Sequence, residues 1–147
     1  MIITRATEYS IRAVLHLAEK YPAQVVSKQE ICEAEGITPA FLTKILQPLI
    51  HQGLVRSKRG VAGGFALNRD PDKITLLDVM EAVEEPMLLN VCLLEHHPCD
   101  RECTCPVHEL WVEARGKLSE IFSRHSLADL VRERRRRLQK KATGGCR

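Results

Sequence analysis

The stretch "SKQEICEAEGITPAFLTKILQPLIHQGLVRSKRGVAGGFAL", residues 27–67, decides the fold. Ser27 followed three positions later by Glu30 is a capping-box pattern, in which each side chain satisfies a free backbone N–H at a helix start. Gly36 suits the left-handed position just past that helix. Thr38 is then a natural N-cap, with Pro39 at the first helical position of a second helix. Leu42, Ile45, Leu46, Leu49 and Ile50 repeat at helical spacing and form its buried stripe, and Gly53 closes it. Pro48 removes one hydrogen bond and is expected to kink the last turn, although the periodicity runs through it. "LVRSK" and "FALNR" then read as two strands joined by "RGVAGG", whose glycines admit a tight turn. A short helix, a tight turn, a second capped helix and a basic hairpin make a winged helix-turn-helix.

Working outward, residues 5–20 read as an amphipathic helix with Ile11, Val14, Leu15 and Ala18 on its apolar face, ending at Tyr21-Pro22. "TLLDVMEAVE", residues 75–84, is a further helix capped by Thr75 with Asp78, and Pro86 ends it. Residues 107–125 form a long helix with Trp111, Ala114, Leu118, Ile121, Phe122 and His125 along one face. Ser126 with Asp129 caps a last helix running to about Leu138, and "KKATGGCR" reads as a disordered tail. The fold class is mostly α, a winged helix-turn-helix domain with a small β-hairpin wing followed by a long helix.

Bulk composition agrees with this. The 147 residues suit one domain with an appendage, and aromatics at 4% leave the core to aliphatic side chains. No apolar run is long enough to span a bilayer, and "MIITRATEYS" does not open like a secretory signal, so no membrane partner and a cytoplasmic location are expected. Net charge is only +3, but "VRSKRG" (55–60) and "VRERRRRLQKK" (131–141) concentrate the cations. Local basic patches point to an anionic partner.

That partner is expected to be double-stranded DNA. The N-terminal part of a recognition helix meets base edges in the major groove. Opposite the apolar stripe stand Thr38, Ala40, Thr43, Lys44 and Gln47. Thr43 and Gln47 have the groups to hydrogen-bond bases, and Lys44 suits a guanine or a phosphate. In the wing, Arg56, Lys58 and Arg59 lie beside Gly60, where the backbone can approach a phosphate, and Arg59 at the tip suits a narrow minor groove. The Arg-rich run 132–141 reads first as a solvated helix face.

"NVCLLEHHPCDRECTCPVHELW", residues 90–111, holds four of the six cysteines and three of the six histidines. Their spacing is Cys92-x6-Cys99-x3-Cys103-x-Cys105-x2-His108. In a reducing compartment such a cluster reads as a metal site before disulfides. Zinc would find four ligands in Cys99, Cys103, Cys105 and His108. An iron–sulfur cluster also takes thiolates, with one histidine or carboxylate partner and wider spacing. Spacing alone does not choose between them. His96 and His97 read as solvated, Cys32 as core packing, and Cys146 has no evident role.

From "TEYSIRAVLHLAEKY" through "ITPAFLTKILQPLIHQGLVRSKRGVAGGFAL" and "ITLLDVMEAVE" to "CPVHELW", the chain resembles the winged-helix iron–sulfur regulators typified by IscR and NsrR. The resemblance covers about residues 1–125. It implies a homodimer in which the long helix crosses its two-fold mate, and a 2Fe–2S cluster on three loop cysteines, here Cys92, Cys99 and Cys105. For the fourth ligand it implies either a histidine, matched by His108, or an acidic residue near the start of the first helix, matched by Glu8. The chain departs from the pattern in three ways. The first spacing is one residue longer than usual. Cys103 is extra and is itself a ligand candidate. Thr43-Lys44 replaces an acidic residue and glutamine, so the operator should differ.

The organisation expected is therefore a DNA-binding domain over 1–85, a cluster-binding loop over 86–108, a dimerisation helix and basic helix over 109–141, and a disordered tail over 142–147. The function expected is a repressor sensing iron–sulfur status, nitric oxide or redox stress. The alternative keeps the DNA-binding fold with a structural zinc or a cluster-free thiol switch. A thiol enzyme is disfavoured, because the sequence has no CxxC motif and no Gly-rich phosphate loop.

Overall fold

The computed structural model describes residues 3–22, 25–84, 89, 93 and 99–142. Among these residues, six α-helices and one two-stranded antiparallel sheet follow in the order α1 (Arg5–Glu19), α2 (Lys28–Glu35), α3 (Pro39–His51), β1 (Val55–Lys58), β2 (Gly64–Leu67), α4 (Leu76–Val83), α5 (His108–Ser123) and α6 (Leu127–Ala142). A 3-10 turn, Pro71–Lys73, precedes α4.

The helix starts follow the capping chemistry. Thr4, Ser27, Thr38 and Thr75 each accept a backbone N–H in the first turn of α1, α2, α3 and α4. At Thr75 the box is complete, because the Asp78 carboxylate also accepts the Thr75 N–H at 2.7 Å. Ser126 and Asp129 make the same exchange at the start of α6. At α2 only half the expected box forms. Ser27 accepts from the Glu30 N–H at 3.1 Å, but the Glu30 carboxylate turns to Lys20 at 3.3 Å and His16 at 3.4 Å on α1. A charged partner outbids the neutral backbone donor.

Among the described residues, one core joins α1 through α4, the wing and α6. Leu17, Ile31, Leu42, Ile45, Leu46 and Leu49 are fully buried, with Val55, Ile74, Val79 and Leu127 closing it from the wing, α4 and α6. The buried face of α1 differs from the expected one. Ala13, Val14, Leu17 and Ala18 are buried together with Thr7 and Ser10, whereas Ile11 and Leu15 are only half-buried. The polar pair is tolerated because each finds a partner: Ser10 Oγ donates to the Ile45 carbonyl at 3.5 Å, and Thr7 Oγ1 donates to Glu84. Helix α3 continues three residues beyond Pro48.

The wing is a hairpin pairing Val55 with Leu67 and Lys58 with Gly64. Val26 adds a third, single-residue bridge, exchanging both backbone hydrogen bonds with Phe65 at 2.8 Å. This gives the wing glycines different roles. Gly60 has φ 106°, a left-handed turn residue. Gly64 is instead needed for close approach, since a Cβ there would lie 2.0 Å from the Val26 carbonyl oxygen.

Helix α6 runs to Ala142, four residues past the expected end, so Lys140, Lys141 and Ala142 are helical and not disordered. Good helix formers and two cations near the negative end of the dipole favour that last turn. Residues 143–147, including Cys146, lie outside the described residues.

Candidate nucleic-acid interface and metal-binding loop

On α3 the side chains of Thr38, Ala40, Lys44 and Gln47 are exposed on the face opposite the buried stripe. Thr38 also caps the helix, its hydroxyl accepting the Phe41 N–H at 3.4 Å. Thr43 is half-buried, and its hydroxyl donates to the Pro39 carbonyl at 2.9 Å, so its proton is committed while its oxygen can still accept. Arg56, Lys58, Arg59 and Gly60 are all exposed on the wing. Arg69, which the sequence reading passed over, donates to the Gln52 carbonyl at 3.3 Å, and Asn68 donates to the Gly53 carbonyl at 3.2 Å. Together they tie the end of α3 to the chain just past β2.

The second candidate site begins where α4 ends. Thr4 donates its backbone N–H to Glu84 Oε1 at 3.0 Å, and the hydroxyls of Thr4 and Thr7 donate to the same oxygen. Burial pushes the Glu84 carboxyl up, but these hydrogen bonds outweigh it and hold the carboxyl below its ordinary value. The start of α1 is thus pinned to the root of the cysteine loop. Glu8 stands exposed in that first turn of α1, its N–H donating to the Thr4 carbonyl at 3.0 Å.

In the described part of the loop, successive turns lead into α5. The Glu102 N–H donates to the Cys99 carbonyl at 2.9 Å, the Thr104 N–H to Arg101 at 3.0 Å, and the His108 N–H to Cys105 at 3.3 Å. Cys99 and Cys105 are half-buried and Cys103 is exposed. Cys92, His96 and His97 lie outside the described residues. Among the described residues no three His, Cys, Asp or Glu side chains converge on one point.

His108 carries the most informative geometry. Its side chain is only 16% exposed, and Nε2 lies 3.4 Å from Glu102 Oε1. Nδ1 is buried with no hydrogen-bond partner among the described residues. Glu102 thus stands at ion-pair distance from one ring nitrogen, while the other is left without a partner among the described residues. Glu102 was not singled out from sequence. Its importance depends on a turn that folds it back toward a residue six positions on, which no spacing rule shows.

Helix α5 has no buried residue within the chain. Leu110, Trp111 and Ile121 are 59%, 38% and 49% exposed. Helix α6 is laced by pairs along its own surface. Arg136 and Arg137 both contact Glu133 at 2.7 Å and hold its carboxyl down to about 2. No helix among the described residues is long and apolar enough to cross a membrane.

A capped helix-turn-helix locked to a basic wing is the architecture of a DNA-binding transcription regulator. The comparisons specify the family: the chain belongs to the Rrf2 family, described as iron-dependent transcriptional regulators, whose profile matches residues 3–133. It is 32% identical over 131 residues to the HTH-type transcriptional regulator IscR of Sodalis glossinidius, covering 89% of this chain and 79% of that one. The structure of CymR, the global cysteine regulator of Bacillus subtilis, superposes with a TM-score of 0.74 at 28% identity, over 90% of this chain and 98% of that one. T. potens IscR shares the fold with a TM-score of 0.73 at 23% identity, over 90% and 88% of the two chains. These relatives are transcription regulators and not enzymes, in line with the sequence reading.

Proposed function

We propose that this chain is a homodimeric repressor that senses iron–sulfur status, nitric oxide or redox stress through a 2Fe–2S cluster held by Cys92, Cys99, Cys105 and His108. The observation that carries the ligand set is the buried Nδ1 of His108, without a partner among the described residues, with the Glu102 carboxylate 3.4 Å from its other nitrogen. Half-buried Cys99 and Cys105 suit thiolate donors, whereas Cys103 and Glu8 are exposed and, among the described residues, show no comparable supporting partner. Held by these residues, such a cluster would supply a redox-active centre.

The chain's own part is mechanical. The loop joins the end of α4 to the start of α5, while α4 packs on α1 and α3 and α5 packs on α4. A rearrangement of residues 85–107 therefore acts at once on the root of α5 and on the helix behind the recognition helix. The exposed apolar face of α5 supports dimerisation, since an uncovered row of large side chains is costly in water. A dimer reads half-sites about one helical turn apart, so a small change of angle spoils simultaneous docking.

The test is anaerobic purification followed by a visible spectrum and counts of iron, sulfide and zinc per chain. A red-brown protein with near-equal iron and sulfide that is bleached by Cys105→Ala is expected. A colourless protein carrying zinc, or colour that survives alanine at Cys92, Cys99 and Cys105 in turn, overturns the cluster assignment and leaves the DNA-binding function standing.

A further inference from the structure

Helix α2 ends on a buried charge. Glu35 is 4% exposed, and its carboxylate faces groups from two other helices. Arg12 Nε on α1 lies 3.2 Å from Oε2, His16 Nδ1 on α1 lies 3.7 Å from Oε1, and Arg134 Nη2 on α6 lies 3.3 Å from Oε1. Arg12 also donates through Nη2 to the Glu35 carbonyl at 2.6 Å, satisfying a backbone acceptor left open at the helix end. Arg134 is held on its other side by Glu19, whose Oε1 is 3.5 Å from Nε. The contacts continue toward the DNA face. The Arg12 guanidinium lies 4.9 Å over the Tyr9 ring, and Tyr9 meets Phe41, in the first turn of α3, edge-on at 5.6 Å between centroids.

A buried ion cluster is a poor way to gain stability, because desolvation consumes most of the Coulomb attraction. What it supplies is direction. An eight-residue helix has little stability of its own, and its orientation is set by what holds its ends. The N-terminal end of α2 is held by Glu30 against His16 and Lys20. The C-terminal end is held by Arg12 and Arg134, immediately before the left-handed Gly36 that turns the chain into α3. Arg134 thus fastens the helix-turn-helix to the helix that follows α5.

We infer that Glu35 and Arg134 are positioning residues for DNA reading: their contact fixes the angle between the helix-turn-helix and the α5–α6 arm, and so the half-site spacing the dimer accepts. This rests on the dimeric DNA-binding reading above. The experiment first selects a palindromic operator from a randomised duplex library with the full chain. Affinities are then measured on palindromes with base pairs added or removed between the half-sites, and on a single half-site. Wild type is expected to show one sharp spacing optimum. Arg134→Gln is expected to lose about tenfold at that optimum, a typical coupling between sites, and less than about twofold on the half-site, with a flattened spacing profile. Glu35→Gln should do the same, and Arg134→Lys, which keeps the charge but not the fork, should fall between. Because Arg134 is partly exposed, its variants test the idea even if Glu35→Gln unfolds. A merely structural role lowers the melting temperature and leaves the spacing profile alone. An unchanged profile, or equal losses on half-site and palindrome, overturns the inference by itself. A wild type that selects no palindrome overturns the dimeric reading and this inference with it.

Discussion

The backbone N–H of Leu76 donates to the carbonyl of His125 across 3.0 Å, and the Leu127 N–H returns the exchange to Ile74 at 2.8 Å. This bridge ties the start of α4 to the start of α6, where the chain comes back from α5. Both helices carry a reciprocal cap at that point, so the backbone donors at both helix starts are satisfied. Thr75→Ala should cost about 1 kcal/mol through loss of the cap. A thermal melt should fall by about 3 °C for a chain of this size.

Gly64→Ala tests the wing. The new methyl would sit against the Val26 carbonyl, backbone that cannot turn aside. A loss of about 2 kcal/mol is expected, typical of overpacking. Weaker DNA binding should accompany it, as the wing separates from Val26. At Gly60 the space is open and only the positive φ resists, so Gly60→Ala should cost less. Equal melts for the two variants would contradict the close-approach account.

Lys44, Gln47 and Arg59 separate by salt and by sequence. Arg59 at the wing tip suits a narrow minor groove, so Arg59→Ala should lower the slope of log K against log salt by about 0.9 and relax any preference for A·T pairs flanking the half-site. Gln47→Ala should keep the slope and cost about 1–3 kcal/mol at one base position. Titrations at several salt concentrations on the selected operator and its single-base variants read both effects. Lys44→Ala is assigned to base or phosphate by whichever of the two it moves.

Glu102→Gln should weaken metal retention about 10–100-fold under chelator challenge, the usual effect of losing a carboxylate behind a ligating histidine. His108→Ala should do at least as much. If both variants keep iron like wild type, the fourth ligand is not His108, and Glu8 and Cys103 become the residues to substitute next.

Glu84 predicts an acid dependence. Its carboxyl lies below its ordinary value in the folded chain, so it contributes stability above the unfolded carboxylate pKa. That contribution is lost as pH falls through the lower folded value. Glu84→Gln should therefore be less stable at neutral pH and show a shallower loss between about pH 5 and the acid limit. Melts across that range check it, and parallel curves for the two proteins would rule the assignment out.

Much of the DNA-reading half was legible because it rests on local rules. Ser27, Thr38 and Thr75 announce helix starts wherever they fold, and the leucine and isoleucine stripe of α3 shows only one face fit to be buried. The exposed residues of α3 and the wing follow as its complement. The buried face of α1 was misjudged because Thr7 and Ser10 are buried only by virtue of Glu84 and Ile45, partners 77 and 35 residues away. For the same reason Gly64 looked like turn chemistry, when its role is set by Val26 in another part of the chain.

By itself, then, the sequence determined the helix boundaries near their caps, the winged helix-turn-helix order and the cation-bearing surface, and it gathered cysteines and histidines into one loop. Each depends on hydrogen bonds or periodicities spanning a few residues. The tertiary structure alone decided what stands next to what. It places Glu102 on His108, Glu84 on Thr4 and Thr7, and Arg134 on Glu35 across 99 residues of chain. Those meetings are set by the packing of whole helices, and a carboxylate's partner is fixed only once the helices have docked.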